Sequence, residues 1–166
     1  MSPQTYVEYL SETVVKEEDI PQRHPVRLFA DHWRELGRDG SIPVRRDFSP
    51  VKVPALLPYL VVHELIQTEQ GPDLMTRLEG EFYVSLNGKT NRGHSRRRVM
   101  NEERFQMRLK ETQDALETGI VRFSLVELLD SEKKYHKVFR AVFPFRSNGS
   151  QSEQVFVVLA DENTSL

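Results

Sequence analysis

An α+β fold, an antiparallel sheet with helices on one face, is what the sequence predicts. Three observations lead there. From residue 59 onward the chain carries runs of Val, Leu, Ile and Phe with period-two stretches, separated by turn residues. Two such runs precede a helical middle and three follow it, giving the order β-β-α-α-β-β-β. One well-marked helix stands before the first strand. The 166 residues, 38% hydrophobic and 29% charged, suit one domain of ordinary size with a modest core.

Residues 5–15 mix apolar and polar side chains, and Lys16-Glu17-Glu18-Asp19 is a charged break before Ile20-Pro21. This reads as an arm over residues 1–24, either one short helix or disordered. Pro25 suits the first position of a helix, where the missing N–H costs nothing. Val26, Phe29, Trp33 and Leu36 then fall on one stripe, and Gly37 is a natural left-handed terminator. Four of the nine prolines, Pro43, Pro50, Pro54 and Pro58, make the next segment an extended connector with at most one helical turn, at residues 55–57. The helix and connector together span residues 25–58.

The core then runs over residues 59–161. Residues 59–67 and 74–79 form a hairpin around Gln70-Gly71-Pro72-Asp73, and Gly80 breaks it. Residues 81–86 suit a short helix closed by Asn87-Gly88. Residues 89–99 are basic and irregular. Asn101 caps a long helix with Glu102 and Glu103 in its first turn, Phe105, Leu109, Thr112 and Leu116 on its buried stripe, and Gly119 at its end. Strands follow at residues 121–129, 137–145 and 154–160; in the second, Phe139, Ala141, Phe143 and Phe145 share one face. Asn148-Gly149 is the turn signal before the last strand.

Composition removes several function classes. Without cysteine there is no disulfide, thiolate nucleophile, Cys-ligated zinc or iron–sulfur cluster. A net charge of −2 supplies no global field for nucleic acid. No apolar run approaches the ~18–20 residues that span a bilayer. The first ten residues lack the basic start and apolar middle of a signal peptide, so the chain reads as cytoplasmic. The sequons at Asn148 and Asn163 matter only in a secreted protein.

No motif carries catalysis. Gly88-Lys89-Thr90 lacks the upstream glycine of a phosphate loop, since Tyr83 stands there. His24, His32, His63, His94 and His136 have no metal-ligand spacing, and there is no nucleophile elbow. Glu79 and Glu81 read as solvated turn ends. The strongest charge cluster is Arg96-Arg97-Arg98, with Lys89 and Arg92 upstream; it could meet phosphate or an acidic partner, but lacking interleaved aromatics it reads first as a solvated loop or helix-capping face. Arg77, in a hairpin strand, needs either a carboxylate of the fold or an anionic ligand, because an unpaired buried charge is costly.

Residues 33–93 resemble a family of bacterial PAS-like proteins, best known from alphaproteobacteria. The motifs are Trp33, the connector Ile42-Pro43-Val44-Arg45-Arg46-Asp47-Phe48-Ser49-Pro50, the segment Leu56-Leu57-Pro58-Tyr59-Leu60, the strand end Arg77-Leu78-Glu79-Gly80 and, loosely, Gly88-Lys89-Thr90-Asn91-Arg92-Gly93. The C-terminal half fits by element order alone. Glu81 stands where the family usually has Thr, and the arginine-rich residues 93–99 depart from the pattern.

The resemblance implies a five-stranded antiparallel sheet in the order 2-1-5-4-3, with the helices of residues 81–118 on one face and an N-terminal helix before it. A small-molecule cavity between sheet and helices would follow, with Arg77 as polar anchor and Tyr83, Phe105, Leu109, Phe123 and Phe143 as wall. Phe29 and Trp33 on the N-terminal helix, with Arg96, Arg97 and Arg98, are the expected partner-binding residues, and a homodimer through that helix is the expected assembly. The resemblance implies a stand-alone sensory or ligand-binding domain, not an enzyme, that passes its signal to a separate protein; it names no cofactor. The lack of cysteine excludes flavin–thiol photochemistry. A ligand-free interaction adaptor and a small cone-fold isomerase or cyclase-like enzyme are the alternatives.

Overall fold

The structure is a computed structural model that describes residues 7–147 and 153–166. The Asn148-Gly149 turn and the sequon at Asn148 lie outside the described residues. Six strands, β1 (Glu8–Val15), β2 (Leu60–Thr68), β3 (Gly71–Glu79), β4 (Phe123–Leu129), β5 (Tyr135–Phe145) and β6 (Gln154–Asp161), form one sheet in the order β1-β4-β5-β6-β2-β3. Every neighbouring pair is antiparallel. The helices are α1 (Pro25–Gly37), α2 (Glu81–Asn87), α3 (Arg96–Val99) and α4 (Glu102–Thr118). The α+β class holds, while the count of five strands is corrected to six. No helix among the described residues is long and apolar enough to cross a membrane.

The sixth strand comes from the arm, whose described residues form β1 and a 3-10 turn at Glu17–Asp19. β1 pairs along its length with β4, from Glu8 opposite Leu129 to Val15 opposite Phe123, with a bulge between Tyr9 and Ser11. Tyr9 and Glu12 lie opposite Leu128 and Val126 and so share their face of the sheet. An inward face made of a phenol and a carboxylate leaves no apolar alternation to read in the sequence.

Both faces of the sheet are covered, which corrects the expectation of helices on one face. Period-two alternation along β5 sends Phe139, Ala141, Phe143 and Phe145 to one side and Val138, Arg140 and Val142 to the other. α1 lies across β5 and β6 on the phenylalanine side, burying Val26, Phe29, Ala30 and Trp33. α2, α3 and α4 take the other side, where Tyr83, Leu86, Ala115 and Leu116 pack on Val126, Val138, Val142 and Val157.

Local chemistry sets the helix ends. Pro25 is the first residue of α1, and the His24 imidazole accepts from the Val26 N–H at 3.1 Å. The helix continues through Gly37, and the left-handed turn falls on Arg38, Asp39 and Gly40. Asn101 caps α4 by accepting from the Arg104 N–H at 2.8 Å, and Gly119, at φ 72°, ends it in the left-handed region. The connector folds into three 3-10 turns, Arg45–Asp47, Pro50–Lys52 and Pro54–Tyr59, where one was expected. Residues 89–99 are less irregular than their composition suggests, since four of them form α3.

Gly80 joins two of the sequence motifs. Its N–H donates to the Leu60 carbonyl at 2.7 Å. A Cβ there would overlap the carbonyl oxygens of Leu57 and Pro58. The Leu-Pro segment and the strand end Arg77-Leu78-Glu79-Gly80 are thus one backbone-to-backbone contact that admits only glycine.

Candidate functional site

The face under α4 buries charge. Arg108 lies on the inward stripe of that helix between Phe105 and Thr112, and Arg140 lies between Val138 and Val142 on the matching face of β5. Glu111, one turn from Arg108, accepts from Arg140 Nη1 at 2.8 Å and sits 3.4 Å from Arg108 Nη1. Glu12 on β1 meets Arg108 Nη1 at 3.0 Å. Burial opposes the charge of Glu111, yet Arg140 and Arg108 hold its carboxyl below its usual value. Burial likewise opposes charge on Arg108, but Glu111, Tyr9 and Glu12 raise its pKa further. Glu111 and Arg108 are therefore both held in their charged forms.

Arg96 comes in from α3 and is also buried. Its Nη2 donates to the Tyr83 hydroxyl at 2.6 Å, and its guanidinium lies 5.7 Å from the centre of the Tyr83 ring. Because a guanidinium only donates, the Tyr83 oxygen is the acceptor there and its own hydrogen is available to another group. Burial pushes the Tyr83 pKa up, with Arg96 opposing, so the phenol stays protonated. His63 on β2 faces the same space. Burial, together with Arg96, Arg140 and Arg108, holds its pKa well below the usual histidine value, so its ring is neutral.

These side chains line a cavity of about 20 Å³, in which the polar wall is His63, Tyr83, Arg96, Arg108, Arg140, Tyr9, Thr112 and the Glu111 carboxylate, and the rest is aliphatic. Three buried nitrogens here, Arg96 Nη1, Arg108 Nη2 and His63 Nε2, have no hydrogen-bond partner among the described residues. Such atoms are rare in native interiors and each calls for an explanation. A second, open groove of about 550 Å³ lies between the connector and the β2–β3 hairpin, floored by Phe48, Leu60, Val62 and Phe156 with Arg45 and Arg92 in its wall.

Of the six side chains expected to form one pocket, only Tyr83 lines the cavity. Arg77 is the extra residue of a bulge, since Val62 pairs with Leu78 and His63 with Thr76. It is half exposed and binds Glu64 through Nε at 2.9 Å, so the partner found is a carboxylate of the fold, and Arg77 does not line the cavity. Phe105 and Leu109 pack with Leu74 and Met100 in a separate cluster. Phe123 and Phe143 lie across the sheet under α1, so they cannot share a pocket with Tyr83.

The expected partner-binding set divides in the same way. Phe29, Trp33 and Arg96 are buried, Arg97 is half-buried over the Phe105 ring at 4.4 Å, and Arg98 is exposed. Sequence reasoning missed His63, Arg108, Arg140, Glu12 and Glu111. The readable signal was a charged residue in the inward phase of an apolar stripe: Arg108 beside Phe105 and Leu109, and Arg140 between Val138 and Val142. No family model matches the chain, and no curated protein or solved structure is significantly similar to it.

Proposed function

We propose that the chain is a PAS-like sensory or ligand-binding domain that hands its signal to a separate protein. The observation that carries this reading is the arginine-lined cavity with unpartnered buried donors, set between the sheet and the α2–α4 layer. Two further features support it. Counted without β1, the strands run second, first, fifth, fourth, third, the order that the family resemblance implies. Two of the five motifs that carry the resemblance also meet at Gly80.

β5 offers a route for the signal. Its alternate residues belong to different layers: Arg140 touches the cavity, while Phe139 and Phe143 lie in the cluster that seats α1. A ligand that holds Arg140 differently in two states shifts the population of α1 positions through one strand. The apolar stripe of α1 is occupied by its own sheet, so a partner would meet the opposite, polar side of that helix. A ligand-free adaptor is the second reading. The small cavity favours it, since drug-sized ligands fill ~300–1,000 Å³.

A panel of small anionic and neutral metabolites, scored first by thermal shift and then by hydrogen exchange, tests the proposal. The expected result is a compound that stabilises the chain saturably and changes exchange in α1 as well as in α4. Binding that leaves α1 unchanged, or a panel with no binder, overturns it in favour of the adaptor.

A further inference from the structure

We infer that the cavity under α4 holds a small monovalent anion, of halide size, gripped by Arg96, Arg108 and His63. The inference deepens the ligand-binding reading by naming a chemical class, and it rests on that reading only for the site's role in signalling.

Charge and hydrogen bonding both point to an anion. Arg108 and Arg140 pair with Glu12 and Glu111, while the third buried guanidinium, Arg96, donates to the neutral Tyr83 hydroxyl and has no ion pair among the described residues, so its charge is left in excess at the cavity. Arg104, stacked 4.2 Å from the Tyr9 ring centre and 3.9 Å from Glu12, is a further cation of the cluster. Guanidinium nitrogens only donate, so whatever meets Arg96 Nη1 and Arg108 Nη2 must be an acceptor. Water would satisfy the donors but leave the excess charge uncompensated in a low-dielectric interior, where an unpaired charge is most costly. A neutral His63 offers Nε2–H as a third donor in one tautomer, and the Tyr83 hydroxyl has a hydrogen to give.

Volume sets the size. A cavity of about 20 Å³ has room for little more than one water-sized group. A halide fits that space. Formate and nitrate test its upper limit, and gluconate is too large to enter. The ligand is enclosed: Arg96 is 5% exposed, Arg108 7% and His63 8%.

The test is thermal denaturation of the full chain at constant ionic strength as chloride or bromide replaces gluconate. The expected result is a saturable rise in Tm, following the mass-action law for a ligand that binds only the folded state. The Arg96→Met variant keeps the Arg108, Glu12, Glu111 and Arg140 pairs and should weaken the halide effect at least tenfold, while Arg98→Gln should leave it unchanged. If Arg96→Met does not fold, bromide located by anomalous diffraction in crystals of the native chain decides the matter. A bromide peak between Arg96 and Arg108 is expected. A peak confined to the surface, or a Tm indifferent to halide, overturns the inference. Failure here alongside a neutral metabolite that moves α1 removes the anion and leaves the sensory role standing. A bound halide that leaves α1 unmoved does the reverse.

Discussion

The two faces of the sheet are built by opposite strategies from the same strands. Under α1 the interior is aromatic: the Phe29 ring lies 4.9 Å from Phe143 and 5.9 Å from Phe156, and Phe156 lies 4.5 Å from Phe145. The Trp33 indole N–H on that face donates to the Pro144 carbonyl at 2.9 Å. Under α4 the apolar floor is interrupted by Arg96, Arg108, Arg140, Glu111 and His63. Dispersion and area burial hold the first face. The second needs its charges matched one by one, and the matching is incomplete. Under the sensory reading proposed above, a conformational response would start on the second face, where buried donors are left without a protein partner.

The largest effect should come from breaking the aromatic face. Phe143 is fully buried and touches Phe29, Trp33 and Phe123. Phe143→Ala should cost about 3–5 kcal/mol in urea denaturation followed by circular dichroism, with a red shift of Trp33 fluorescence as α1 loosens. A loss below about 1 kcal/mol would mean that α1 is not seated on that cluster.

The charged face should respond in another way. Arg140→Met strands Glu111 beside Arg108 alone and should cost about 3 kcal/mol. Adding Glu111→Leu should return at least half of that loss, because a buried pair replaced on both sides by apolar groups is often neutral. No second substitution should rescue Phe143→Ala in this manner. A double variant as unstable as Arg140→Met alone would show that the network contributes stability outright.

The same contrast explains what the sequence disclosed. The aromatic face was legible: the stripe of Val26, Phe29 and Trp33, and the alternation from Phe139 to Phe145, each follow a regular period. Placing Phe123 and Phe143 in a pocket with Tyr83 failed because a period tells which residues share a face, not which helix covers it. The charged face was illegible for a physical reason. Tyr9 and Glu12 in β1 point inward to meet Arg108, so the strand shows no apolar pattern. Arg96 sat in a run of three arginines that read as solvated, and only the turn of α3 separates it from exposed Arg98. Long-range ion pairs leave no local trace, since each partner looks like surface until the other is in place.

Histidines lie on both faces and at the start of β5, and their signs differ. His24, against the Phe139 ring on the aromatic face, has its pKa lowered by burial, and so does His63 on the charged face. Both are neutral in the fold, so their stability is present above the ordinary histidine value of about 6.5 and is lost as pH falls through their lower folded values. His136 is the reverse. Partial burial works against its charge, but hydrogen bonds to Asp130 at 2.8 Å and Asp161 at 3.0 Å raise its pKa. Its contribution is full below about 6.5 and disappears as pH rises through the raised value. Urea midpoints measured from about pH 5 to about pH 9 should therefore fall on both sides. His136→Gln should flatten the alkaline side only.

The smallest effect belongs to the residue that looked most like a ligand anchor. Arg77 pairs with Glu64 in the open, on the strand end that leads to Gly80. Half of its side chain meets solvent, so the pair is screened, and Arg77→Gln should cost no more than about 1 kcal/mol. The halide dependence of Tm should be unchanged in that variant, because Arg77 does not line the cavity. Arg108→Gln, one residue of the same type on the buried face, should cost several times more, because it leaves Glu12 without its closest cation. Equal costs for the two substitutions would mean that water reaches Arg108 as freely as Arg77, and the charged face would then be an extension of the surface.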